Sequence, residues 1–382
     1  MIFSNFERTD SSPKLNIESD FAFLNRTSRD EMARVRDLLE ALLLEYPEQD
    51  DLVARFRSGN NPHFRSAEFE LLLFSYLNKQ GFKLTPHPVL DNGSASRPDF
   101  LVEAPNGDQF YLEAVLATEH TEDRTHDPLL ATTLDVFSST SHKNFTLIVQ
   151  TSGYPSTQPS GKKLRNATIR WLDSLDPDEV QAQLDIGGHD ALPRLVWSHE
   201  GLDVSVQALP LLPDRRGKAS RLMSVQFGQA GWVDASGPIR DAIKFKGSKY
   251  GELGKPLVVA VNFTGHHLDR RDEMQALFGQ EQMVFSVTNP SAEPKLERAP
   301  DGAWTGKGGP QFTRISGAWI FDNMCMYNLP SREPTLYLHP WARHPLSAEI
   351  LRYPHAIGID GKMTWHQGIK PAAVLGLPET WP

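Results

Sequence analysis

Two carboxylates sit where a plain apolar hairpin would carry something greasier. In the stretch RPDFLVEAPNGDQFYLEAVLA, residues 97–117, Asp99 and Glu113 each fall in a short apolar run on either side of a turn. Ala104-Pro105-Asn106-Gly107 places Pro, Asn and Gly at the second, third and fourth positions, the signature of a type I turn. With Gly107 left-handed, the loop has three residues and a bulge, Ala104 pairs with Asp108, and Asp99 lies directly across from Glu113. One face then carries Phe100, Val102, Ala104, Phe110, Leu112, Ala114 and Leu116. The other carries Asp99, Leu101, Glu103, Gln109, Tyr111, Glu113 and Val115. A two-residue Asn-Gly loop would instead send the two carboxylates to opposite faces, and the apolar pattern alone does not decide between the registers. Opposed carboxylates repel. A divalent cation between them reverses that penalty, because hard oxygen ligands suit Mg²⁺. The plain alternative is a half-solvated sheet face that simply holds several acids.

Other side chains carry charge but less definite chemistry. Lys162, Lys163, Arg165 and Arg170 lie on or beside one helix with no acid until Asp173, and Arg215, Arg216, Lys218 and Arg221 form a second basic cluster. Such groups would contact a nucleic-acid backbone, which sets register and affinity but not sequence preference; a solvated basic face is the alternative. His266 and His267 are adjacent, so on regular structure their side chains diverge and make a poor shared metal site. Neither HExxH, GxxxxGK[ST] nor GxSxG occurs.

The elements that would position these groups follow from periodicity. DEMARVRDLLEALLLEY, 30–46, puts Met32, Val35, Leu38, Leu39, Leu42 and Leu43 on one helical stripe ended by Pro47. FRSAEFELLLFSYLNK, 64–79, reads as a second helix with Ser66 as its N-cap and Gly81 as its stop. Strands are predicted at 82–90, 98–104, 109–116 and 144–150. A Pro/Ser/Gly-rich loop at 151–160 precedes the basic helix GKKLRNATIRWLDSL, closed by Asp176 and Pro177. A hairpin over 195–211 turns at Glu200-Gly201. Then comes a helix, IRDAIKFKGSKYGEL, and a strand, PLVVAVNF, whose unbroken apolar run fits burial on both faces. Past 263 the chain is rich in Pro, Gly and Trp, with strand-like pieces at GAWIF and TLYLH and no legible architecture.

The bulk numbers bound the class. At 382 residues the chain suits one elaborated domain or two modest ones. A net charge of −9 argues against coating nucleic acid by bulk attraction but not against a nuclease with local basic patches. One cysteine, Cys325, excludes an intramolecular disulfide framework and a Cys-based zinc cluster. The first twenty residues lack the basic-then-apolar order of a signal peptide, and no window approaches eighteen uninterrupted apolar residues. A cytoplasmic protein without a membrane partner is the expectation, and a protein partner or homo-oligomer stays open.

Taken together, Pro98-Asp99, thirteen intervening residues and Glu113-Ala114-Val115 resemble the motif of the PD-(D/E)xK nuclease superfamily, with valine where its lysine belongs. The resemblance implies a restriction-endonuclease-like α/β core, ordered helix, three strands, helix, strand. Glu70, eleven residues before Gly81, matches the helix glutamate of Mrr-like restriction enzymes. On this reading residues 1–60 are a helical lead, 61–263 the core with an insertion at about 144–237, and 264–382 a C-terminal extension. Asp99, Glu113 and the Ala114 carbonyl would bind Mg²⁺ or Mn²⁺, and Glu70, with Glu68 as a substitute, a water on that ion or a second ion. The missing lysine would come from the helix before the buried strand. There Lys246 and Tyr250 have the four-residue spacing found in RecB-like relatives, with Lys244 and Lys249 as competitors and Lys249 as a further backbone contact. The implied activity is metal-dependent cleavage of nucleic acid, DNA before RNA, in bacterial defence or DNA processing. The alternative is a descendant that has lost catalysis and serves as a binding or scaffold module.

Overall fold

The computed structural model describes residues 1–118, 128–227, 234–265, 268–286, 293–359 and 362–382; the His266-His267 pair lies outside them. The protein is a mixed α/β chain that divides into two compact units. The first comprises residues 1–12, 19–121 and 233–382, and the second residues 13–18 and 122–232.

The first unit is built on an eight-stranded mixed sheet. Its strands are β1 (Lys83–Pro86), β2 (Phe100–Glu103), β3 (Gln109–Ala117), β4 (Leu257–Phe263), β5 (Gly317–Asp322), β6 (Thr335–Leu338), β7 (His355–Ile359) and β8 (Lys362–His366), lying side by side in chain order. β1, β2 and β3 form an antiparallel meander, and β4 enters parallel to both β3 and β5. Every residue of β4 is buried, as its unbroken apolar run requires. Residues 264–382, illegible in the sequence, supply the other four strands of this sheet rather than a separate architecture.

Helices cover both faces. α1 (Asp20–Arg26), α2 (Asp30–Glu45), α3 (Gln49–Arg57) and α4 (Asn61–Asn78) pack on the face carrying Phe100, Val102, Phe110, Leu112 and Val258. α5 (Ser236–Ser248) and α6 (Arg270–Phe278) pack on the face carrying Tyr111, Val259 and Val261. The stripe expected on α2 is the one it buries. The N-cap expected at Ser66 is corrected. α4 is capped by Asn60, whose side chain accepts from the His63 N–H at 3.0 Å. Pro62 is tolerated there because first-turn N–H groups have no helical partner.

The second unit has its own four-stranded sheet, in the order Arg194–His199, Leu202–Pro210, Phe145–Gly153, Met223–Phe227. Helices Pro128–Ser138, Gly161–Asp173 and Pro177–Gly187 cover its core around Phe137, Leu147, Leu164 and Val204. The hairpin turns at Glu200-Gly201 as expected, both left-handed. Asp176 does more than close the basic helix: its side chain caps the next one, accepting from Asp178 N–H at 2.8 Å. No described helix is long and apolar enough to cross a membrane.

Candidate functional site

The hairpin adopts the three-residue loop. Gly107 has φ +90, the Ala104 N–H donates to the Asp108 carbonyl at 2.8 Å, and Phe100 pairs with Leu112. That register puts Asp99 opposite Glu113, at the point where β2 has ended and β3 runs on beside β4. The freed edge of β3 is filled by Asp99, whose Oδ2 accepts the Ala114 N–H at 2.6 Å. Because a strand turns a residue's N–H and C=O to the same edge, the Ala114 carbonyl also faces the Asp99 side.

Glu113 is 1% exposed, on the α5 face of the sheet. Lys246 Nζ donates to its Oε1 at 2.5 Å, across 133 residues of sequence. The Tyr250 hydroxyl donates to Oε2, and Lys249 Nζ stands 3.5 Å from Oε1 while resting on the Tyr250 ring. Burial and the Glu113 charge keep the Tyr250 phenol protonated, hence a donor. Two cations and a phenol therefore offset one buried carboxylate, a necessity where an unpaired charge is very costly. Lys249 thus stands at the carboxylate rather than only beside it, and Lys244 makes no ion pair among the described residues.

Glu70 approaches from the helix layer on the opposite face. It is buried, with Tyr46 donating to Oε1 at 2.6 Å and Arg55 to Oε2 at 2.6 Å. Its charge still reaches Asp99. Burial first, then the fields of Glu113 and Glu70, push the Asp99 carboxyl up to about 7 against the pull of the Ala114 N–H and Lys246. Glu68 points elsewhere and accepts the Met326 N–H at 2.9 Å. Tyr46 and Arg55 were missed in the sequence. Tyr46 caps the end of α2 and Arg55 lies in the last turn of α3, and nothing local ties either to Glu70.

Whether these atoms suit a hard divalent cation is decided by the donor set. Asp99 Oδ1 takes no hydrogen bond among the described residues, and the Ala114 carbonyl shares its edge. Glu113 has lone pairs beyond the three engaged by Lys246, Lys249 and Tyr250. Two carboxylates and a carbonyl, with the Asp99 carboxyl raised first by burial and then by the Glu113 charge, are hard oxygen donors of the kind Mg²⁺ or Mn²⁺ takes. Among the described residues no three His, Cys, Asp or Glu side chains form a group that could hold a metal ion.

The basic residues of the second unit sort differently. Lys162 and Lys163 are exposed, and exposed Arg165 donates to Thr140 Oγ1 at 3.1 Å. Arg215 is exposed, whereas Arg216 is committed to Asp178 at 2.6 Å and to the Leu211 carbonyl.

Compared with known proteins, the chain matches no family model, no curated protein and no solved structure.

Proposed function

We propose that the chain is a divalent-metal-dependent nuclease of the PD-(D/E)xK kind, its motif lysine replaced in space by Lys246. The observation that carries this is the ammonium of Lys246 at 2.5 Å from Glu113, brought by α5 to the acid whose own motif has valine at the lysine position. Further support comes from the order α4, β1, β2, β3, α5, β4, which follows the helix, three strands, helix, strand arrangement of the restriction-endonuclease-like core.

Asp99, Glu113 and the Ala114 carbonyl would hold Mg²⁺, which when bound supplies a Lewis acid and lowers the pKa of its water. The protein's own groups do the rest. Lys246 and Lys249 offset the charge that builds on the scissile phosphate, and Lys246 orients the attacking water. Tyr250 fixes the Glu113 rotamer through Oε2, and Glu70, held by Tyr46 and Arg55, acts on Asp99 through its charge. DNA is the preferred substrate of this reading, with defence or DNA processing as its setting.

One observation favours the scaffold alternative: both oxygens of Glu113 and both of Glu70 already have protein partners. Plasmid DNA incubated with wild type and Asp99→Ala, with and without Mg²⁺ or Mn²⁺, separates the readings. Cleavage by the wild type alone, only with metal, is expected. Equal cleavage by both proteins removes the site assignment, and none by either selects the scaffold.

A further inference from the structure

A cleft of about 590 Å³ lies at the end of α5 and belongs to no group assigned so far. Glu252, Phe312, Thr313, Arg314 and Arg343 line it. Both of its walls are tied to the elements that hold Glu113. Glu252 follows Tyr250 by two residues, and Asn92 Nδ2 clamps the carbonyls of both, at 2.7 Å for Tyr250 and 2.9 Å for Glu252. On the other wall, Phe312 packs against Gly247, the neighbour of Lys246, so closely that a Cβ there would meet Phe312 Cδ1 at 3.0 Å. Phe312 itself has φ +50, a left-handed conformation that a bulky side chain rarely adopts. Strain of this kind persists only where surrounding packing imposes it, and it concentrates at ligand sites.

The cleft's charge is unbalanced toward the positive. Arg343 is oriented by Thr313, with Nε donating to Oγ1 at 3.1 Å and its main-chain N–H donating to the Thr313 carbonyl at 2.7 Å. Its guanidinium also pairs with Glu252, but both side chains are more than half exposed, so the pair is weakly held and exchangeable. Arg314 is half-buried and makes no hydrogen bond or ion pair among the described residues. Two guanidiniums facing one carboxylate, one of them unsatisfied, make a site for a tetrahedral oxyanion, which a planar fork of N–H donors grips in two places at once.

We infer that this cleft is a subsite for a backbone phosphate of the nucleic-acid strand, gripped by Arg314 and by Arg343 once the phosphate displaces Glu252. The inference rests on the nuclease reading for the identity of the strand. It goes beyond that reading in placing a phosphate one helix end away from the scissile position. The clamp by Asn92 and the contact of Phe312 with Gly247 then couple strand seating to the positions of Tyr250 and Lys246.

The test is binding, measured apart from cleavage. Asp99→Asn protein in Mg²⁺, which leaves the duplex intact, is titrated with a fluorescein-labelled duplex and followed by anisotropy across a salt series. Arg314→Ala and Arg343→Ala in that background each weaken binding about tenfold and lower the salt slope by about one. Glu252→Gln tightens binding severalfold, a gain that misfolding cannot imitate. Arginine variants that bind like their parent with an unchanged slope overturn the subsite, as does a parent that binds no duplex. Inorganic phosphate or a mononucleotide competing as tightly as the duplex also overturns it, because the ligand is then a free phosphate. If the arginine variants weaken binding while wild type cuts nothing, the subsite stands and the nuclease reading falls.

Discussion

Glu113 is held by Lys246, Lys249 and Tyr250, three side chains from the last turn of α5 and the residues just past it. The position next but one along β3, Val115, faces the same side of the sheet and packs against the same core. On the proposed reading, a lysine at either place brings an amine to the same carboxylate. Two substitutions test this equivalence. If the chain is the nuclease proposed above, Lys246→Met lowers the cleavage rate by about 10²-fold, the scale of losing one preorganised charge at a reacting centre. Adding Val115→Lys to that variant restores roughly tenfold of the loss. Single-turnover cleavage of a labelled duplex reads both, and a double variant no faster than Lys246→Met would place the role of Lys246 elsewhere.

At the level of elements, α5 lies close against residues 312–315, which bring Phe312 and Ile315 up to Gly247, the neighbour of Lys246. Gly247 permits that approach. A Cβ at this position would meet Ile315 Cδ1 at 2.5 Å and Ile315 Cγ1 and Phe312 Cδ1 at 3.0 Å, so an added methyl requires the flexible end of Ile315 and the Phe312 ring to shift. Gly247→Ala also gains about 1 kcal/mol of helix propensity and should leave stability close to wild type. Gly247→Val adds branched bulk against Ile315 and Phe312 and should destabilise by about 1–3 kcal/mol, lowering the melting temperature by a few degrees. Thermal unfolding compares the two; a valine variant as stable as the alanine one would mean that α5 is free to shift.

For the molecule as a whole, buried carboxyls make stability depend on pH. Glu68 joins α4 to the chain beyond β5 through the Met326 N–H, and burial pushes its carboxyl from 4.5 to about 7. Glu273, beneath the Tyr337 hydroxyl, is raised to about 7 for the same reason. A carboxyl whose folded pKa lies above its unfolded one binds its proton more tightly when folded. Its contribution is complete below about pH 4.5 and is lost as pH rises toward 7, about 3 kcal/mol for a shift of this size. The melting temperature should therefore fall between pH 5 and 8 in EDTA, and Glu68→Gln, which keeps an acceptor for Met326 but has no proton to lose, should fall less steeply. Equal slopes for the two proteins would show that Glu68 does not titrate in this range.

The sequence by itself determined what neighbouring residues decide among themselves. The Pro-Asn-Gly turn carries its own conformational preferences, so the register placing Asp99 opposite Glu113 was open to reading, though the apolar pattern left a rival. The α2 stripe, the doubly buried β4 and the helix ahead of it likewise follow from local periodicity. Ser66 was misread as a cap because a short polar side chain near a helix start looks the same whether it caps or lies one turn inside. Tertiary structure alone decided the rest. The seating of Lys246 on Glu113, the brace of Tyr46 and Arg55 on Glu70, and the addition of residues 264–382 to the same sheet join positions far apart in the chain. Such contacts depend on which faces meet once β4 slots between β3 and β5, and that meeting leaves no periodic trace in the residues it brings together.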